Sequence, residues 1–152
     1  MQWLYLYFPS LQLDSLLNQQ AYHQPCVLVD KNKVLQANPE ARQWGIKIGT
    51  GLAQAALLCA QLKVIAYDAK QEQRLLLQLA QRLYQTSATL YLDPPQGLLL
   101  QTSDMLRLYN GLDAYWQQLQ QPLKERGLNY HYASAHSPLA AQVLARVGND
   151  RL

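Results

Sequence analysis

Two apolar runs, Thr89-Leu90-Tyr91-Leu92 and Gly97-Leu98-Leu99-Leu100, stand on either side of Asp93-Pro94-Pro95-Gln96. Proline has no N–H to give to a strand ladder, so neither run continues through that break and the pair reads as a hairpin. Before it, Asp68 opens a long amphipathic helix on which Leu75, Leu76, Leu79 and Leu83 recur at helical spacing. After it, Leu112, Tyr115, Trp116, Leu119 and Leu123 mark a further helix, which Pro122 kinks or limits. Asn129 to Ala133 reads as a last strand. Ser137 and Pro138 open a final helix with Leu139, Val143, Leu144 and Val147 on one face, and Gly148 is its stop. The chain begins with a strand, Trp3-Leu4-Tyr5-Leu6-Tyr7, closed by Pro9. Ser10 then caps a helix carrying Leu13, Leu16 and Leu17.

With residues 25–66 set aside, the order is β-α, a long helix, then β-β-α-β-α. The simplest α+β fold with that order is a ferredoxin-like split βαβ, with an antiparallel sheet and its helices on one face. The segment set aside contains a hairpin, Cys26 to Val29 and Lys33 to Gln36, turning at Asp30-Lys31-Asn32. Asn38 caps a short helix whose first position is Pro39 and whose stop is Gly45. Thr50 caps another helix to about Ala60, and Lys63 to Ala66 is a strand. This segment is expected to be a small insertion packed apart from the main sheet.

Of the 152 residues, 49% are hydrophobic and 15% charged, enough for a sizeable core and against intrinsic disorder. No apolar run approaches the ~18 residues of a membrane span, and Met1 to Tyr5 lacks a basic leader. A cytoplasmic protein without membrane contact is expected. Cys26 and Cys59 lie in apolar surroundings and read as reduced, buried thiols. The net charge of +3 resides in residues 25–70, where Lys31, Lys33, Arg42, Lys47, Lys63 and Lys70 face Asp30, Glu40 and Asp68. A modest basic segment suits phosphate contact, and equally a solvated surface.

Several motifs resemble those of Y-family translesion DNA polymerases. Val34 to Gly49, with Asn38-Pro39-Glu40-Ala41-Arg42 followed by Gly45-Ile46-Lys47-Ile48-Gly49, is similar to that family's Asn-Tyr-x-Ala-Arg segment and the glycine-containing stretch after it. Ala55 to Leu62 resembles its Ala-x-x-Leu-Cys-Pro-x-Leu, and Ser134 to Arg146 its palm helix. Phe8-Pro9-Ser10-Leu11-Gln12-Leu13-Asp14 and Leu92-Asp93-Pro94-Pro95-Gln96-Gly97-Leu98-Leu99-Leu100 resemble the ImuB branch, polymerase-like proteins of bacterial mutagenesis cassettes. The resemblance implies a polymerase palm over 1–24 and 67–152, with a fingers-like insertion over 25–66. Thumb and little-finger domains would follow residue 152.

Two-metal phosphoryl transfer needs at least two carboxylates converging on cations ~3.5–4 Å apart. The family's first metal motif falls at Tyr7-Phe8-Pro9, without a carboxylate. Its second pairs Asp with Glu, whereas Pro94 follows Asp93 here. Asp93 is thus a vestigial metal-site position, or simply the start of a proline turn. Neither catalytic nor metal-ligating residues are assigned. No cofactor is expected, and Mg²⁺ enters only under the alternative of an active polymerase or nucleotidyltransferase with a rearranged site.

Arg42 matches the family's triphosphate-contacting arginine, but it also suits the end of its own helix through the dipole. The tyrosine beside that arginine is replaced by Pro39. The steric-gate aromatic falls near Leu11 and Gln12, and the palm-helix lysine is replaced by Gln142 or a neighbour. His23, His131 and His136 show no metal-ligand spacing. Lys31, Lys33 and Lys47 are the candidates for weak, sequence-independent DNA contact. Trp44, Tyr109 and Tyr115 are candidate partner contacts or core residues. The implied function is a catalytically lapsed adaptor in translesion synthesis, DNA repair and induced mutagenesis. Its implied partners are an error-prone polymerase, accessory mutagenesis proteins and, through regions beyond this chain, the sliding clamp. A ferredoxin-like interaction module unrelated to nucleic acid is the remaining alternative.

Overall fold

The structure, a computed structural model, describes residues 2–20, 24–84, 89–102, 112–148 and 150. The described elements run β1 (Trp3–Tyr7), α1 (Leu11–Gln20), β2 (Cys26–Asp30), β3 (Lys33–Ala37), α2 (Pro39–Gln43), α3 (Leu52–Leu58) and β4 (Lys63–Ala66). They continue with α4 (Ala69–Tyr84), β5 (Thr89–Asp93), β6 (Gly97–Gln101), α5 (Leu112–Glu125), β7 (His131–Ala135) and α6 (Pro138–Arg146).

The first sheet has four strands in the order β5-β6-β1-β7, every neighbouring pair antiparallel. This is the ferredoxin-like arrangement that the element order predicts, because each helical crossover places its two strands apart in the sheet. Alternation divides the faces. Leu4, Leu6, Leu98 and Leu100 point to one side, where they pack with Leu76, Leu79 and Leu83 of α4 and Tyr115, Trp116, Leu119 and Leu123 of α5. Tyr5 and Ala133 point to the other and meet Ala141 and Ala145 of α6. Helices therefore cover both faces, not one. The second face also carries apolar residues, and the small Ala141 and Ala145 let α6 come close.

The second sheet has the order β3-β2-β4, with β2 antiparallel to β3 and parallel to β4. β2 takes no place in the four-stranded sheet. Lys31 and Asn32 both have positive φ, as the tight turn between β2 and β3 requires. Val27, Val34, Ala41, Ile46, Ala55 and Cys59 form one core; Cys26 and Leu28 form another with Leu13 of α1. Both cysteines are free and buried.

The caps hold at Asn38, which accepts from Ala41 N at 2.9 Å, and at Ser137, which accepts from Ala140 N at 3.2 Å. Asp68 accepts from the N–H groups of Lys70 and Gln71. Thr50 is not the cap of α3. Gly51 holds that position, and the Thr50 hydroxyl accepts from Lys47 N instead. The last strand starts two residues later than its apolar pattern suggests, and α5 continues through Pro122 to Glu125.

A buried polar network joins the two sheets through α1 and α4. Gln36 of β3 and Glu72 of α4 are both fully buried. Gln36 Nε2 donates to Glu72 Oε2 at 2.6 Å, and its Oε1 accepts from Leu13 N at 3.1 Å. Glu72 Oε1 accepts from the Tyr67 hydroxyl at 3.0 Å. Gln36 thus replaces one of the missing acceptors in the first turn of α1 while tying α4 to the second sheet.

Candidate functional site at the Asp93 carboxylate

Asp93 ends β5 and is paired with Gly97, which is paired in turn with Tyr7 of β1. The sheet register therefore sets the Asp93 carboxylate in one row with Gly97 and Tyr7. Three donors converge on Asp93 Oδ2. The Tyr5 hydroxyl donates at 2.5 Å, Gln142 Nε2 at 3.0 Å and the Arg146 guanidinium at 3.5 Å. Gln142 and Arg146 stand four residues apart on α6 and so share a face.

Gly97 is what lets the phenol through. A Cβ on residue 97 would lie 1.8 Å from the Tyr5 hydroxyl oxygen. Burial, and next the hydrogen bond to Asp93, push the Tyr5 phenol up to about 12, so it stays a donor at neutral pH. The Arg146 guanidinium is held still more firmly in its charged form, first by its interaction with Tyr5, and it stands 5.9 Å above the centre of the Tyr7 ring.

A divalent pair does not fit this donor set. Tyr7 and Pro94 bring no carboxylate, and the one that is present already has a hydroxyl, an amide and a guanidinium on one oxygen. Among the described residues no three His, Cys, Asp or Glu side chains gather as a metal site would require.

Arg42 is elsewhere. It is exposed at the end of α2 and borders a cleft of about 280 Å³ with Pro9, Ser10, Ile48, Asn129 and His131. It occupies the last turn of α2, as the dipole reading requires. It also faces Asp14 closely enough to favour that group's charged form. Asp14 is nearly buried and accepts from Asn129 N at 3.0 Å and Asn129 Nδ2 at 3.2 Å. Burial outweighs these contacts and pushes its carboxyl up to about 6. Gln12 is buried in the α1–α4 contact, where its amide donates to Gln71 and accepts from Asp68 N.

Lys31 in the β2–β3 turn, Lys33 of β3 and Lys47 between α2 and α3 are all exposed. Of the aromatic candidates, Trp44 is 56% exposed, whereas Tyr115 is fully buried and is a core residue. Tyr109 and His23 lie outside the described residues. The sequence reading missed Tyr5 and Arg146. Their signals were Gly97 directly after the turn and the i, i+4 placement of Gln142 and Arg146, both meaningless until the strand register is known.

The impB/mucB/samB family profile matches residues 9–146. The chain belongs to that family. Its fold is the palm fold of Y-family polymerases, with which the impB/mucB/samB family is grouped. Similar solved structures include the Dbh ternary complex, with TM-score 0.77 and 17% identity over 99% of this chain and 47% of that one. DinB from Sulfolobus solfataricus gives 0.73 and 18% over 99% and 47%. The post-insertion binary complex of Dbh DNA polymerase gives 0.81 and 18% over 97% and 46%. The chain thus spans about half the length of these structures. No curated protein matches it by sequence.

Proposed function

We propose that this chain is the palm and fingers-like part of a catalytically lapsed, ImuB-like member of the family, acting as a DNA-binding adaptor in translesion synthesis and repair. The observation that carries the reading is the state of Asp93. Its carboxylate is engaged by Tyr5, Gln142 and Arg146, and the β1 position in the same row, beyond Gly97, is Tyr7. A polymerase palm with that chemistry holds a scaffold but not a metal clamp.

Residues 1–24 and 67–152 form the palm in this reading, and 25–66 the fingers-like part. DNA contact falls to the exposed Lys31, Lys33 and Lys47 and is weak and independent of sequence. An error-prone polymerase and accessory mutagenesis proteins are the cytoplasmic partners, and the sliding clamp is reached through regions beyond residue 152. Among the described residues no helix is long and apolar enough to cross a membrane.

The test is template-directed primer extension by the purified chain with Mg²⁺ and with Mn²⁺. No extension is expected. Extension that survives controls for contaminating polymerase overturns the proposal.

A further inference from the structure

Strand β5 lies at the end of the four-stranded sheet, with β6 on one side only. Edge strands are ordinarily guarded by lysine, proline, a bulge or a covering element. β5 has none of the first three: its sequence is Thr-Leu-Tyr-Leu-Asp, and its register against β6 is continuous over all five residues. Among the described residues no strand pairs with its outer edge, and Tyr91 is 51% and Leu92 45% exposed. The same two residues border an open groove of about 360 Å³ with Leu99, Pro138 and Leu139, and Leu139 is itself exposed.

We propose that this edge pairs with the same edge of a second copy, β5 against β5 antiparallel, about a two-fold axis at Tyr91. The strand is complementary to itself in that register. Tyr91 meets the Tyr91 of the partner copy, Leu90 meets Leu92, and Asp93 meets Thr89. The only charge in the strand is thereby kept away from its own symmetry mate, as cross-strand pairing requires. The alternating side chains also sort by face. Thr89, Tyr91 and Asp93 share the α6 side, where the Tyr91 ring lies tilted at 42° to that of Trp3 with their centres 6.2 Å apart. Two such pairs around the axis would make a four-ring aromatic cluster.

Pro94 and Pro95 stop the pairing at Asp93, which limits slippage. One strand pair with its flanks is a small interface, so association on the order of tens of micromolar is expected.

Sedimentation velocity over a range from ~1 to ~300 µM reads the association, and disulfide trapping reads the axis. Antiparallel partners place opposed Cα atoms roughly 4.5–5.5 Å apart, within the span of a disulfide. Tyr91→Cys should therefore cross-link copy to copy under mild oxidation at least tenfold faster than Leu57→Cys, although Leu57 is 88% exposed on α3. The buried native thiols give little background. Leu92→Lys should abolish the dimer and Leu57→Lys should leave it intact. A chain that stays monomeric throughout, a dimer that survives Leu92→Lys, or trapping no faster at 91 than at 57 overturns the proposal. Trapping also decides the matter if Leu92→Lys fails to fold, and none of these readouts depends on polymerase activity.

Discussion

The Tyr5 phenol fills the volume that any side chain on Gly97 would need: a Cβ there would lie 1.8 Å from the hydroxyl oxygen and 2.6 Å from the ring carbon that bears it. Gly97→Ala must therefore displace a fully packed ring or the β6 backbone. A loss of ~1–3 kcal/mol is expected, typical of overpacking, and urea denaturation measures it. In a Tyr5→Leu background the same substitution should cost clearly less. Equal costs in the two backgrounds would show that the two residues are not in conflict.

The same phenol predicts an alkaline transition. Its pKa of about 12 in the fold lies above the ordinary 10, so the folded chain holds that proton more tightly than the unfolded chain. Stability from this group is complete below about pH 10 and is lost as pH rises toward 12. Asp93→Asn removes one of the causes but not burial, the larger one. Ultraviolet titration should then find a Tyr5 pKa lowered but still above 10. An unchanged value would show that Asp93 has no hold on the phenol.

Asp14 has a consequence of the same sign in the pH range where proteins are handled. Its carboxyl at about 6 is raised from 3.8, so the fold prefers the neutral form. Stability should fall as pH rises from about 4 to 6, by about 2–3 kcal/mol at ~1.4 kcal/mol per unit, and then level off. Asp14→Asn, which keeps an oxygen for the Asn129 N–H, should flatten that slope. Chemical denaturation at pH 4, 5, 6 and 7.5 tests both statements, and a wild-type slope that rises through this window contradicts them.

Gln36→Leu should be among the most damaging single changes in the second sheet. It leaves Glu72 Oε2 and the Leu13 N–H buried without the partner each now has, at an expected cost of ~2–4 kcal/mol. A double-mutant cycle with Glu72→Gln should show a coupling of roughly 0.5–3 kcal/mol. Additive losses would mean that the pair does not act as a unit.

Much of the architecture was legible because it is written locally. Pro94 and Pro95 end one strand, Lys31-Asn32 turn another, and Asn38 and Ser137 cap their helices through side chains that any context would use the same way. The placement of α6 on the second face was not legible, since Leu139, Val143 and Val147 look like a buried stripe in sequence. In the fold they are exposed, and the alanines between them do the packing. Tyr115, which the sequence leaves open between partner contact and core, is core. The candidate site was only half legible. Asp93 follows from the motif, but its partners come from residues 5, 142 and 146, which only strand pairing and the seating of α6 bring together.

The two buried thiols give the second sheet a built-in clock. Cys26 is fully enclosed and its thiol is pushed up by burial, while Cys59 is 2% exposed within the core around Val27 and Ile46. Neither can meet an alkylating reagent until its surroundings part, so each labelling event counts one opening of the chain around that sulfur. Because Cys26 belongs to the packing against α1 and Cys59 to the packing beneath α3, two labelling rates on one molecule would distinguish the second sheet lifting away from α1 from its own core coming apart.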